Sequence, residues 1–193
     1  LLRTSARTGE FIYQLSRYLH NRFAPRKSVH GVFVEVYGVG ILIMGPSGIG
    51  KSECALELIK RGHRLVADDA VQLMKISDTK VVGSPDEMIR HHMEIRGLGI
   101  IDIRSLFGIA ATADEKTVDM VITLEKWDDH KEYDRLGIFQ RTTRFLKVEV
   151  PSTTIPVREG RNLAVVIETA AMNFYLRRMG ILSAEKFSKQ LRA

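Results

Sequence analysis

Residues 45–52 run Gly45-Pro46-Ser47-Gly48-Ile49-Gly50-Lys51-Ser52, and their types and spacing suit the handling of phosphate. In the pattern G-x-x-x-x-G-K-[ST] the glycines let the backbone wrap a polyphosphate with its N–H groups pointing inward. The lysine, Lys51, reaches the β and γ phosphates, and the Ser52 hydroxyl can ligate Mg²⁺. Seventeen positions after Lys51 stand two adjacent carboxylates, Asp68 and Asp69. One can ligate Mg²⁺ directly or through water, and the other can take a proton from an acceptor hydroxyl. Their mutual repulsion is expected to raise one of the two pKa values.

Other chemistry-bearing residues are more dispersed. His30 precedes an apolar strand and, by itself, reads as a surface residue at a strand edge. Glu94 lies in His91-His92-Met93-Glu94-Ile95-Arg96. That spacing does not match the helical H-E-x-x-H of a transition-metal site, whereas a carboxylate oxygen suits Mg²⁺ bound to phosphates. Arg135, in Asp134-Arg135-Leu136-Gly137, reads alone as one side of a surface ion pair. Arg158 and Arg161 flank a Pro/Gly-containing segment and offer cations for an anion.

The elements that must position these groups follow from the pattern. Gly40-Ile41-Leu42-Ile43-Met44 is an apolar strand entering the loop, and Glu53 to Lys60 is a helix leaving it, closed by Gly62 in a left-handed cap. Leu65-Val66-Ala67 then returns along the sheet and delivers Asp68 and Asp69 at its end, where ligands sit in such folds. Residues 31–37 pair with 41–44 around Gly38-Val39-Gly40. Val71–Ile76 and Lys80–Val82 form a hairpin. Pro85–Arg90 is a short helix or turn, and Gly97-Leu98-Gly99 is a flexible junction. Val118–Leu124 is a buried strand, 126–144 a charged surface loop, Phe145–Val150 a strand, and Pro151–Arg161 a loop. Leu163–Met179 is a strong helix, and Ser183 caps a last one to Leu191. Near the start, Phe11, Ile12, Leu15, Tyr18, Leu19 and Phe23 recur at helical spacing until Pro25, an apolar face for the core or a subunit contact. The set favours a mixed α/β sheet core built around one phosphate loop, with helices at the C-terminus.

With 193 residues the chain suits one domain. Its net charge of +6 suits phosphates or an acidic partner. The basic residues are scattered without interleaved aromatics, which speaks against a nucleic-acid partner. No apolar run approaches a membrane span. Cys54 is the only cysteine, so no intrachain disulfide forms and a reducing cytoplasm is the expected setting. The chain opens at Leu1 without an initiator Met or an apolar secretory segment, as a shortened chain or one with a further N-terminus would.

Taken together, His30-Gly31-Val32, the loop 45–52 with Glu53, and Gly62–Asp69 resemble the bacterial HPr kinase/phosphorylase family. Met93–Asp102 resembles that family's signature stretch, and Asp134–Gly137, Pro156–Arg161 and Asn162-Leu163-Ala164 follow in the family's order. The resemblance extends from about Lys27 to Gly180. It implies a bifunctional enzyme that phosphorylates a serine of HPr, the small phosphocarrier of the sugar phosphotransferase system, using ATP or pyrophosphate. In reverse it removes that phosphate with inorganic phosphate, releasing pyrophosphate. It also implies a core like the nucleotide-binding core of phosphoenolpyruvate carboxykinase, and a homohexamer. Carried to this sequence, Asp68 is the general base and reverse acid, Lys51 stabilises the transferred phosphoryl, and His30 sits beside Asp68 in support. Ser52 and Glu94 hold Mg²⁺, Arg135 contacts the phosphoryl or phosphoserine, and Pro156–Arg161 serves dephosphorylation. Residues 27–193 are then the catalytic domain, and 1–26 a linker helix or the end of a further N-terminal domain.

The chain departs from the family pattern at Pro46, where known members carry an acidic residue and where proline offers no N–H. Two other readings fit the loop and Asp68. A small-molecule kinase would need a closed acceptor pocket, and a nucleotide-dependent regulatory module would bind ATP without moving phosphate.

Overall fold

Residues 41–43 are isoleucine, leucine and isoleucine in succession, and a strand apolar on both faces must be covered on both. The computed structural model describes residues 4–131, 141–158 and 160–181. In chain order the elements are α1 (Thr8–Phe23), β1 (Arg26–His30), β2 (Val32–Val36), β3 (Val39–Met44), α2 (Lys51–Lys60), β4 (Arg64–Ala67), β5 (Ala70–Ser77), β6 (Lys80–Pro85), β7 (His92–Ile95), β8 (Gly99–Asp102), α3 (Ile103–Phe107), β9 (Lys116–Thr117), β10 (Met120–Lys126), β11 (Arg141–Phe145), β12 (Val148–Val157) and α4 (Leu163–Arg178).

Among the described residues the widest sheet has the order β11-β12-β10-β3-β2-β4. Strands β3, β10 and β12 run parallel, and β2 is antiparallel to both β3 and β4. Strand β4 therefore points the same way as β3. The C-terminal ends of β3, β4, β10 and β12, and the start of β2, share one edge of the sheet. The glycine-rich loop, Asp68 and His30 all emerge there.

Both faces of this sheet are covered. On one, Ile41, Ile43, Ile122 and Leu124 pack against Cys54, Ala55 and Leu58 of α2 and Ala164, Ile167 and Ala171 of α4. On the other, Phe33, Leu42 and Val121 meet Val71, Leu73 and Val81 of a second sheet, β1-β5-β6-β9. Each fully buried large side chain contributes about 1.5–3 kcal/mol. The architecture is a mixed α/β fold of three layers with a C-terminal helix. The crossing from β9 to β10 passes directly over β3: Gly40 N–H donates to Asp119 Oδ2 and Asp119 N–H to Gly40 O, both at 2.9 Å. A Cβ at Gly40 would lie 1.9 Å from Thr117 O, so only glycine fits. Helix α4 is tied to the end of α2 by His63 Nε2, 3.0 Å from Glu168 Oε1, and by Arg61 Nη1, 3.3 Å from Glu168 Oε2.

Several expectations from sequence are corrected. Pro151–Arg161 is largely strand, because β12 runs to Val157. Its first half pairs with β11 and its second half with β10, overlapping at Ser152. Each half thus has one free edge, which is where a strand tolerates proline, and Pro151 and Pro156 sit one in each half. Phe145–Val150 is not one strand but a hairpin, with Leu146 and Lys147 at φ 51° and 68° in a two-residue turn. Arg141–Arg144, expected as loop, belong to the edge strand β11. The junction 97–99 is the turn of the β7–β8 hairpin. Helix α1 forms as expected, but none of its described side chains joins the two buried clusters, and Phe11, Tyr18 and Phe23 are exposed. The helix expected from Ser183 to Leu191 lies outside the described residues.

Candidate active site around the glycine-rich loop

The loop between β3 and α2 has the backbone its glycines allow. Gly45, Gly48 and Gly50 take φ of 147°, 77° and 97°, conformations that favour glycine. Gly50 caps α2 without a side-chain acceptor, and the first bond back into the helix is Cys54 N–H to Gly50 O at 3.0 Å. The N–H groups of the first turn are thus free for an anion, at the positive end of the helix dipole. Lys51 is buried and folds back over the loop, donating to Gly45 O and Pro46 O at 3.1 Å each. Pro46, which has no N–H to offer, contributes its carbonyl to this arrangement.

Asp68 stands at the end of β4, only 5% exposed. Its Oδ1 accepts from Ser52 Oγ at 3.0 Å and its Oδ2 from the Glu94 N–H at 3.1 Å. Burial pushes its pKa above the ordinary carboxylate value. The Glu94 N–H and the Ser52 hydroxyl pull it down, and the charge of Asp69 adds to the rise. The expected repulsion between the two aspartates is therefore present but secondary to desolvation. Asp69 itself adopts φ 66°, and Ala70 N–H donates to Asp68 O at 2.8 Å. This tight turn separates the paired carboxylates, and strain of this kind gathers at functional sites.

His30 ends β1, whose register places it opposite Ala70. Its Nδ1 lies 2.9 Å from Asp69 Oδ1. The resemblance implied a histidine beside Asp68; the direct partner is the neighbouring Asp69, and His30 reaches Asp68 only as a co-lining residue of one small cleft of about 110 Å³. Ser47, Lys51, Ser52 and Glu94 line the same cleft. Among the described residues no group of three or more His, Cys, Asp or Glu side chains is arranged to hold a metal by itself. The oxygens present, from Ser52, Asp68 and the exposed Glu94, are the hard donors that suit Mg²⁺ shared with substrate phosphates.

One residue of the cleft received no role from sequence. Arg96 Nη2 donates to Ser47 Oγ at 3.0 Å, and a Cβ on Gly48 would lie 2.6 Å from Arg96 Nη1. The guanidinium thus lies directly on the loop. Arg96 follows β7 two positions after Glu94, and both line the cleft. At the same sheet edge, Arg158 stacks over Trp127 at 5.1 Å, and Arg161 Nη1 donates to Pro156 O at 3.1 Å. Arg135 lies outside the described residues.

Residues 21–191 match the protein family described as HPr Serine kinase C-terminal domain. The HPr kinase/phosphorylase of Caldanaerobacter subterraneus subsp. tengcongensis is 52% identical over 99% of this chain and 63% of that protein. That of Geobacillus thermodenitrificans is also 52% identical, over 99% of this chain and 62% of its own length. The chain thus spans less than two thirds of these relatives. The solved Hpr(Ser) kinase/phosphatase from Coxiella burnetii superposes with a TM-score of 0.75 at 36% identity, covering 83% of this chain and 98% of that one. With the family match over residues 21–191, the relatives over 99% of its length and the fold over 83%, the chain belongs to the HPr Serine kinase C-terminal domain family.

Proposed function

We propose that this chain is the catalytic domain of a bifunctional protein-serine kinase/phosphorylase acting on HPr, and so regulates sugar transport and carbon metabolism. The observation that carries the reading is Asp68: a buried carboxylate of raised pKa, at the mouth of a glycine-rich loop with free helix N–H groups, bonded to the loop's own Ser52. The names of the relatives supply the acceptor.

In the forward direction ATP or pyrophosphate lies with its phosphates along loop 45–52. Asp68 takes the proton of the acceptor serine hydroxyl as the serine oxygen bonds the terminal phosphorus, and the bridging oxygen leaves with the remaining phosphate. Lys51 turns from the loop carbonyls to the transferred phosphoryl and offsets its charge. In reverse an oxygen of inorganic phosphate attacks the phosphoserine phosphorus, and protonated Asp68 returns its proton to the leaving serine oxygen. The products are serine and pyrophosphate. His30 holds Asp69, and with it the turn that orients Asp68. Ser52 and Glu94 are the residues that would hold Mg²⁺, which supplies charge neutralisation between the phosphates. Arg135 is assigned to the phosphoryl or phosphoserine by resemblance.

The same reading takes residues 27–193 as the catalytic domain and 1–26 as a linker or the end of a further domain. It also takes a phosphoenolpyruvate-carboxykinase-like nucleotide core, a homohexamer and a cytoplasmic setting. No helix among the described residues is long and apolar enough to cross a membrane.

The test is transfer of phosphate from Mg-ATP to purified HPr, with serine-to-alanine HPr and Asp68→Asn enzyme as controls. Phosphate is then added to the product and pyrophosphate assayed. Transfer lost in both controls and pyrophosphate released in the second step is the expected result. A folded, ATP-binding protein that moves no phosphate to HPr refutes the assignment for this chain.

A further inference from the structure

Outside the cleft, an unusual set of cationic and imidazole groups gathers on one carboxylate. Arg90 Nη2, Arg104 Nη2 and His91 Nε2 all approach the same atom, Asp114 Oδ1, at 3.0, 3.7 and 3.8 Å. Only the first is within hydrogen-bond distance. One carboxylate oxygen cannot satisfy three donors, and Asp114 is itself 62% exposed on its side chain. His91 is 12% exposed on its side chain, and its Nδ1 is buried without a partner among the described residues.

The frame around these groups is fixed. His91 holds φ 65°, and its carbonyl accepts from Ile103 N–H at 2.9 Å. Arg104 Nε donates to Thr112 Oγ1 at 3.3 Å, and Thr112 is buried. Arg64 Nη2 donates to Thr112 O at 2.8 Å, and Ala113 N–H to Leu65 O at 2.7 Å. The two arginines and the histidine are thus presented by β7's approach, by α3 and by the segment after it, while Asp114 occupies the space they enclose. The site is separate from the cleft: His91 precedes Glu94 by three residues, about 10 Å along an extended chain. Burial and the two guanidinium charges push the His91 pKa down, against the partial opposition of Asp114 and Asp102, so the imidazole is a neutral group that can still donate one N–H.

We propose that Arg90, His91 and Arg104 form a second anion site for a small phosphoryl dianion, inorganic phosphate or the phosphate of a monoester, with Asp114 as the displaceable carboxylate that fills it at rest. A tetrahedral dianion matches the two guanidinium charges and carries enough oxygens to meet each donor at hydrogen-bond distance. The Asp114 side chain, itself 62% exposed, swings out as the ligand enters.

The test measures binding of inorganic phosphate and of glycerol phosphate, at matched ionic strength, by calorimetry and by thermal unfolding. It uses the Lys51→Met protein so that the glycine-rich loop contributes little. The expected result is a remaining phosphate-dependent rise in Tm that Arg90→Gln abolishes. Asp114→Asn should tighten binding about tenfold by removing the competitor. Arg90 is partly exposed, so its replacement spares the fold, and Asp114→Asn moves affinity the opposite way to any general damage. Binding by both ligands identifies a monoester site, and binding by inorganic phosphate alone a phosphate site. Loss of all phosphate binding in Lys51→Met, or binding indifferent to both Arg90→Gln and Asp114→Asn, overturns the proposal.

Discussion

The Ser52 hydroxyl donates to Asp68 Oδ1 at 3.0 Å, joining the last residue of the phosphate-loop motif to the carboxylate at the end of β4. The bond lowers the Asp68 pKa against the larger effect of burial. Loss of this bond alone therefore leaves Asp68 a stronger base.

Asp68→Asn keeps the shape and the two hydrogen-bond partners while removing proton transfer. The expected loss in kcat is about 10²–10⁴-fold, the usual contribution of a general base. Stability should hold or rise at neutral pH, because the variant no longer buries a charge. Single-turnover assays and thermal unfolding check the two halves; equal loss of both would refute a catalytic role.

The raised Asp68 pKa fixes the sign of two pH dependences. Its contribution to stability is fully present below the unfolded carboxylate value and is lost as pH rises through the higher folded value. Phosphorylation needs the ionised form, so its rate climbs with pH along a limb displaced above the ordinary carboxylate range. Phosphorolysis needs the protonated form and falls over the same interval. Ser52→Ala removes a bond that lowers this pKa, so titration of the Asp68 carboxyl by ¹³C NMR should move further upward.

Arg96→Ala removes a guanidinium that rests on the loop without serving the core. Loss of one charge-assisted bond corresponds to about 1.5–3 kcal/mol, so pyrophosphate should bind roughly tenfold or more weakly. The Tm should change little. Calorimetric titration beside a melting curve decides it.

Gly40→Ala forces a methyl group against the Thr117 carbonyl. Because the obstacle is backbone, relief requires moving the β9–β10 crossing, and the expected loss is about 3 kcal/mol. Urea unfolding should show a lower midpoint with an unchanged slope.

Glu168→Ala leaves the buried His63 Nε2 without its 3.0 Å partner, while Arg61 keeps Glu57 at 2.9 Å. The expected cost is about 1–3 kcal/mol, read by the same unfolding experiment. His63→Ala combined with it should add less than its single effect.

The parts of the site that follow local rules were legible in the sequence. Glycine spacing announced the loop, the apolar run announced β3, and the short return through Val66 announced where Asp68 would stand. What escaped depends on pairing across distance. The edge strand β11 is charged because an edge faces water, so Arg141 and Arg144 looked like loop. Pro156 looked like a strand breaker because nothing local reveals that β12 changes partners midway. The pairing of His30 with Asp69 rather than Asp68 depends on a left-handed turn at Asp69, a conformation that sequence does not demand of an aspartate. Arg96 escaped because its partner, Ser47, is 49 positions away.

The cleft draws its two walls from elements of very different security. Strand β3 is held between β2 and β10 in the widest sheet, with Ile41, Leu42 and Ile43 wholly buried. Among the described residues the β7–β8 hairpin that carries Glu94 toward Arg96 pairs only with itself, is anchored through the buried Met93, and has the weak support of two strands alone. Amide hydrogens of β3 should therefore exchange with solvent only through global unfolding, while those of β7 and β8 escape through local openings. Each such opening carries the Glu94 N–H away from Asp68 and raises its proton affinity, so the buried carboxylate changes character with a fluctuation that leaves β3 undisturbed.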